Sequence, residues 1–332
     1  MNIRPVFSVL ELLILLTGSL LFPDVSSDLD VLDILFSGSV NLHDYSVTFE
    51  NVKTTPLINH LKNEIQKSGA EVSLALKDLE SGEELLIHAE EMMHAASLMK
   101  VPVMIEVFRQ ADKGKFSLKD KIPIKNQFKS IVDGSSYTLF AADDSDEVIY
   151  ELIGEKLSIR DLVERMITVS SNLATNILIE LVGTDNIMET MKEMGISNMK
   201  VLRGVEDAKA YERGLNNKTD ALSMLQVMLA IAEGKAGSSD ACREMIEILA
   251  RQKFRSKIPD GIPDGVKVAN KTGSITGIDH DAAIVFPKGQ RPYVLVILTK
   301  GLENHEDAER LIANLSRMAY TSLTKKAANN PG

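Results

Sequence analysis

The sequence predicts the α/β (α+β) class: an antiparallel sheet of about five strands flanked by helices, with an all-α domain inserted between the strands. Two observations carry this. Strand-like alternation falls in two blocks, near residues 72–88 and 266–299, and the stretch between them reads mostly as helices. The chain is 332 residues long, 44% hydrophobic and 25% charged, which suits one large globular unit with a sizeable core. That composition excludes a collagen-like chain, a disordered chain and a polytopic membrane protein.

The elements follow in order. Leu57, Ile58, Leu61 and Ile65 recur at helical spacing, so Pro56 to Ser68 is a helix. Val72, Leu74 and Leu76 alternate with Ser73, Ala75 and Lys77, which makes a strand. Glu80-Ser-Gly-Glu83 is a turn, and Glu84 to His88 a second strand. A helix runs from Ser97 to about Asp112, with Pro102 tolerated near its start. Residues 128–150 include a short acidic loop (Asp143, Asp144, Asp146, Glu147) that reads as solvated. Ser158-Ile-Arg-Asp161 is a capping box ahead of Leu162, Val163, Met166 and Ile167. Leu173 to Val182 is helical and stops at Gly183. Ile187, Met188, Met191 and Met194 form another apolar helix face. Thr219 is expected to cap a helix through Ala232, and Asp240 to Gln252 forms the next. Val266 to Thr272, Ala282 to Phe286 and Tyr293 to Thr299 read as strands, and a last helix spans about His305 to Thr321.

The N-terminus differs from the rest. Arg4 precedes an apolar run over residues 6–22, closed by Pro23, which reads as a secretory signal or an uncleaved membrane anchor. Glu11 fits neither membrane reading well. Residues 1–27 are therefore taken as the signal or anchor and 28–54 as a linker. The expected location is secreted or periplasmic. The formal charge of −10 argues against a general nucleic-acid binder, which needs a basic stripe. Cys242 is the single cysteine, so no internal disulfide or multi-cysteine metal site exists. The six histidines (His43, His60, His88, His94, His280, His305) show no ligand spacing.

Three short motifs bear chemistry. In Ser97-Leu-Met-Lys100, a helix puts serine and lysine on one face. Serine is a weak nucleophile unless a base lies beside it, and a lysine of lowered pKa can be that base. Ser170-Ser171-Asn172 lies between two apolar helices, where polar side chains must find partners; taken alone, it reads better as an interhelical turn whose serine and asparagine cap the next helix. Lys271-Thr272-Gly273-Ser274 sits in a strand, where glycine often marks close approach of a ligand or backbone. A lysine with hydroxyls there suits a substrate carboxylate, although an edge strand with an exposed lysine would look the same.

Together, in this order, the three resemble the penicillin-interacting serine hydrolases, and most nearly the class A β-lactamase family. The likeness extends through Met166-Ile-Thr-Val-Ser-Ser-Asn-Leu-Ala-Thr-Asn176, Val268-Ala-Asn-Lys-Thr-Gly273 and Ile284-Val-Phe-Pro-Lys-Gly289, over roughly residues 55–325. It implies a β-lactamase/transpeptidase-like catalytic domain there, with a sheet part (55–118 and 256–325) around a helical part (119–255). It implies Ser97 as the nucleophile that forms an acyl-enzyme and Lys100 as its activator. Ser170 would pass the proton to the leaving nitrogen, and Asn172 would bind the substrate's side-chain amide. Lys271, Thr272 and Ser274 would hold the substrate carboxylate. The N–H groups of Ser97 and Ser274, beside Gly273, would form the oxyanion hole. The partner is a small β-lactam or cell-wall peptide-like molecule, with no metal or other cofactor and a monomeric enzyme.

Several positions depart from the family pattern. Glu212-Arg-Gly-Leu-Asn216 matches the loop that carries the deacylating base, and Glu206 is its rival. The middle residue of the serine–asparagine triplet is Ser171, where the family has an aspartate. His280 stands where many members have a carboxylate-binding arginine; it reads equally as a weaker substitute or a strand-end histidine. Residues 128–150 are extended, and Tyr137 is a candidate for the cleft mouth. The alternative is an acyl-serine enzyme of D,D-peptidase or esterase type, or a penicillin-binding sensor that stalls after acylation.

Overall fold

The structure, a computed structural model, describes residues 55–328. The leader and linker lie outside the described residues. Helix α1 (Thr55–Ser68) leads into strands β1 (Glu71–Asp78) and β2 (Glu84–Ile87). Helices α2 (Lys100–Asp112), α3 (Ile159–Thr168), α4 (Asn172–Val182), α5 (Thr184–Glu193), α6 (Ala208–Glu212), α7 (Ala221–Ala232) and α8 (Ser239–Ala250) follow. Strands β3 (Lys267–Ile275), β4 (Ile278–Phe286) and β5 (Tyr293–Lys300) and helix α9 (His305–Ala328) complete the fold.

The five main strands form one antiparallel sheet in the order β2-β1-β5-β4-β3. β1 from the front of the chain pairs with β5 from its end, Leu74 opposite Ile297. Alternation assigns each face to a core. Leu74, Leu76, Leu295 and Ile297 pack with Leu57 and Leu61 of α1 and Leu315 of α9. Ala75, Val294, Val296 and Leu298 turn the other way, onto the helical body with Met104 of α2 and Met228 of α7. Both faces of β5 are covered, which is why Tyr293-Val-Leu-Val-Ile-Leu-Thr299 reads as a continuous apolar run.

Local signals work as expected at several ends. Ser158 caps α3 by accepting the Asp161 N–H, and Gly183, at φ 81°, ends α4. The cap of α7 is Asp220, not Thr219. Thr219 belongs to a two-residue strand paired with Met93–His94, and the Asp220 carboxylate accepts the Ser223 N–H at 2.6 Å. The expectation of a solvated acidic loop holds for Asp143 and Glu147, which are exposed, and fails for Asp144 and Asp146, which are only 5% and 6% exposed.

Candidate active site

The turn that carries Ser97 is held from two sides. Its approach strand, Met93–His94, pairs with Lys218–Thr219, and the Ala95 N–H donates to the Asn217 carbonyl. Ala96 then takes φ 45°, a left-handed conformation unfavourable for a residue with Cβ. A short 3₁₀ turn, Ala96–Met99, runs straight into α2 and puts Ser97 and Lys100 on one face. Of four non-glycine residues with positive φ among those described, three are Ala96, Ser170 and Glu206. Backbone strain is thus concentrated where the candidate residues meet, as is usual at functional sites.

Lys100 is fully buried. Its Nζ donates to the Ser170 carbonyl at 2.6 Å, to Ser170 Oγ at 3.1 Å and to Asn172 Oδ1 at 2.8 Å. Burial disfavours its charged form and lowers its pKa to about 7, against the opposing pull of Asp144 and Glu206. Lys271 is also fully buried and reaches the same hydroxyl from β3, with Nζ 3.0 Å from Ser170 Oγ. Burial and the neighbouring Lys100 hold its pKa well below the usual lysine value. Ser170 therefore bridges two lysines from opposite sides of the cleft.

On that β3 wall, Gly273 faces the nucleophile turn. A Cβ there would lie 2.9 Å from Ser97 N and 3.1 Å from the Ala96 Cβ. Only glycine lets the strand approach this closely. Gly273→Ala is expected to push β3 off the Ser97 N–H and slow acylation about 100-fold, the cost of roughly 1 Å of misplacement. Stopped-flow acylation of the variant checks this.

Two side chains occupy other places than the sequence suggests. His280 does not face the cleft. It is fully buried in β4, where its Nε2–H donates to the His94 carbonyl at 2.9 Å and its Nδ1 accepts the Thr299 N–H. Burial lowers its pKa to about 4, so it is a neutral strut between the sheet and the nucleophile turn, not a cation. The cation on this wall is Lys257, from the segment after α8. Its Nζ lies 2.7 Å from Ser274 Oγ and 2.9 Å from Asp279 Oδ1. No local signal marks Lys257: its burial comes from Asp281, which accepts the Ile258 N–H, and from packing brought in by distant strands.

Glu212 is not at the cleft either. It ends α6 exposed to solvent. Glu206 instead lines the cleft, with Oε1 accepting Asn172 Nδ2 at 2.9 Å. Burial raises its pKa, as do Asp144 and Asp143, and the Asn172 bond opposes them. Tyr137 packs behind, its hydroxyl near the Val205 carbonyl. A cleft of 570 Å³ lies over Ser97, Asn172, Glu206 and Ser274, walled by Arg203 and Tyr211. A second lobe of 290 Å³ reaches Ser170, Lys257 and Thr272.

A family model described as the beta-lactamase enzyme family matches residues 56–323, most of the chain. The chain belongs to the beta-lactamase enzyme family. It is a member of a class A-like serine hydrolase family. Among curated beta-lactamases it is 20% identical to VEB-1 of Pseudomonas aeruginosa, over 85% of this chain and 95% of that one. Beta-lactamase CTX-M-8 of Citrobacter amalonaticus is 24% identical over 74% and 81%. Among solved structures, PBP-A superposes with a TM-score of 0.70 at 24% identity, covering 82% of this chain and 97% of that one. Members at this distance share the β-lactamase/transpeptidase-like fold, here the five-stranded antiparallel sheet flanked by helices.

Proposed function

We propose that this protein hydrolyses β-lactam amides through an acyl-serine on Ser97. One observation carries the reading: an unbroken hydrogen-bonded chain runs Glu206, Asn172, Lys100, Ser170, Lys271. It links a base for each half-reaction, and it borders the cleft that Ser97 lines. In acylation, neutral Lys100 takes the Ser97 Oγ proton as Oγ attacks the lactam carbonyl carbon. The Ser97 and Ser274 N–H groups receive the oxyanion. The carbon–nitrogen bond then breaks, and Ser170 Oγ delivers a proton to the leaving nitrogen. Ser170 is reprotonated along the two lysines it touches. Lys257, Thr272 and Ser274 hold the substrate carboxylate, and Asn172 Nδ2 faces its side-chain amide. In deacylation, Glu206 takes a proton from water as the water attacks the ester carbon; the bond from that carbon to Ser97 Oγ then breaks, and the proton held by Glu206 is returned to Ser97 Oγ, restoring both groups.

A second reading keeps acylation and loses hydrolysis, as in a peptidase-like enzyme or a sensor. What favours it is the likeness to PBP-A, a variant of which was solved as an acyl-enzyme complex with penicillin G. Site of action outside the cytoplasm fits the apolar run over residues 6–22.

The test is purified protein mixed with a chromogenic cephalosporin. Sustained turnover is expected; a single stoichiometric burst would select the second reading, and no covalent adduct by intact mass would overturn both. The acylation rate should also rise with pH. Lys100 must be neutral to accept the proton, so below its pKa of about 7 the rate drops about tenfold per pH unit. Above that it levels off. A flat profile between pH 5 and 8 would remove Lys100 as the base.

A further inference from the structure

Position 171 is a serine, so the turn that carries Ser170 and Asn172 lacks a carboxylate of its own. A carboxylate reaches it from elsewhere. Asp144, from the segment between two 3₁₀ turns (Ala141–Asp143 and Glu147–Leu152), is 5% exposed and sits at the N-terminus of α4. Its oxygens accept the Asn172 N–H at 2.9 and 3.0 Å, the Leu173 N–H at 2.9 Å and the Tyr150 hydroxyl at 3.0 Å. Capping of α4 is thereby divided. Ser171 Oγ takes the Ala174 N–H, and Asp144 takes the two before it. These partners are neutral donors. The arginine nearby, Arg165, pairs with Asp146 at 2.8 Å instead. One residue away, the Asn172 side chain binds Lys100.

We propose that Asp144 is a positioning residue for acyl transfer: it replaces the carboxylate missing at position 171, fixes the Ser170–Asn172 turn from outside, and sets the charge balance around Lys100. The inference rests on the acyl-serine reading above. Geometry gives the first two parts. A carboxylate on successive N–H groups at a helix start orients the turn, and the helix dipole favours its charge. Ser170, at φ 58°, needs such a restraint to keep its hydroxyl between the lysines. For the third part, the charged groups around Lys100 are Lys271, Glu206 and Asp144. Lys271 opposes a charge on Lys100; the two carboxylates favour it. Asp144 does not line the cleft and touches no substrate, whereas its neighbour Asp143 does line it.

Two variants of the full chain separate this from a merely structural role. Asp144→Asn keeps the shape and an accepting oxygen but removes the charge. Tyr150→Phe keeps the charge and removes the hydroxyl that partly neutralises it. Single-turnover acylation by a chromogenic cephalosporin is followed from pH 5 to 9. In Asp144→Asn the plateau rate should fall about 10- to 100-fold as the turn loosens, and the acid limb should move to lower pH by about half a unit or more. In Tyr150→Phe the acid limb should move the other way. Limbs that coincide with wild type in both variants would overturn the proposal, even if both rates fall. If Asp144→Asn fails to fold by circular dichroism, the direction of the Tyr150→Phe limb decides alone. Wild type that is never acylated would sink the acyl-serine reading instead. The ¹⁵Nζ resonance of Lys100, titrated by NMR in the same proteins, would still show whether Asp144 sets that charge.

Discussion

Ser97→Ala should lower turnover of a cephalosporin about a millionfold, the loss seen when a serine hydrolase is deprived of its nucleophile. The variant leaves the rest of the site in place. Lys100, Ser170 and Lys271 keep their hydrogen bonds, because none of those bonds involves Ser97 Oγ. The backbone N–H groups stay, since the turn is held by Asn217, His94 and His280. Binding should therefore survive and only the covalent step vanish. Intact mass after incubation should show no adduct, while the cephalosporin still perturbs the spectrum of the folded protein. An adduct in Ser97→Ala would move the nucleophile elsewhere, with Ser170 next in line.

Glu206→Gln should trap the acyl-enzyme. Deacylation should slow about 100- to 10,000-fold, the usual worth of a general base, with acylation changed far less. The mixture would show one stoichiometric burst and a stable adduct. The carboxamide keeps the Asn172 bond through its oxygen, so the loop should hold its place. Its loss of charge also removes one of the two carboxylates that favour the protonated form of Lys100. The acid limb of acylation should consequently shift to lower pH. Glu212→Ala serves as the control, because an exposed side chain at the end of α6 has no route to the ester. A trapped adduct with Glu212→Ala, and none with Glu206→Gln, would reverse the assignment.

The sheet and most helices were legible because each rests on a local pattern. Leu74 and Leu76 opposite Ala75 already state which face meets which core. The motif serines and lysines were legible too, since Ser97 and Lys100 need only helical spacing to meet. What failed were matches of spelling without geometry. Glu212-Arg-Gly-Leu-Asn216 has the right letters, yet the chain reaches the cleft six residues earlier, where Gly204 fits against Asn176 and Glu206 adopts φ 62°. His280 reads from the sequence equally as a carboxylate-binding substitute or a strand-end histidine, and its burial near the start of β4, bonded to the His94 carbonyl, favours the second. Lys257 and Asp144 were invisible for a different reason. Each looks like an ordinary surface charge until segments more than twenty residues away close over it. Burial of that kind is a property of the whole fold, not of any window.

The pairing of β1 with β5 has a consequence for biosynthesis. Ser97, Lys100 and Ser170 are made early, but their opposite wall, Lys271 to Ser274, belongs to strands translated near the end. β1 has no neighbour on its β5 side until Tyr293–Lys300 arrives. A chain in mid-synthesis thus holds a serine with the Ser274 oxyanion donor and two carboxylate-binding hydroxyls still unmade. Contacts this distant along the chain also form slowly. The site around the reactive serine is therefore complete only after the last strand docks, and chains truncated before Tyr293 are expected to show no turnover.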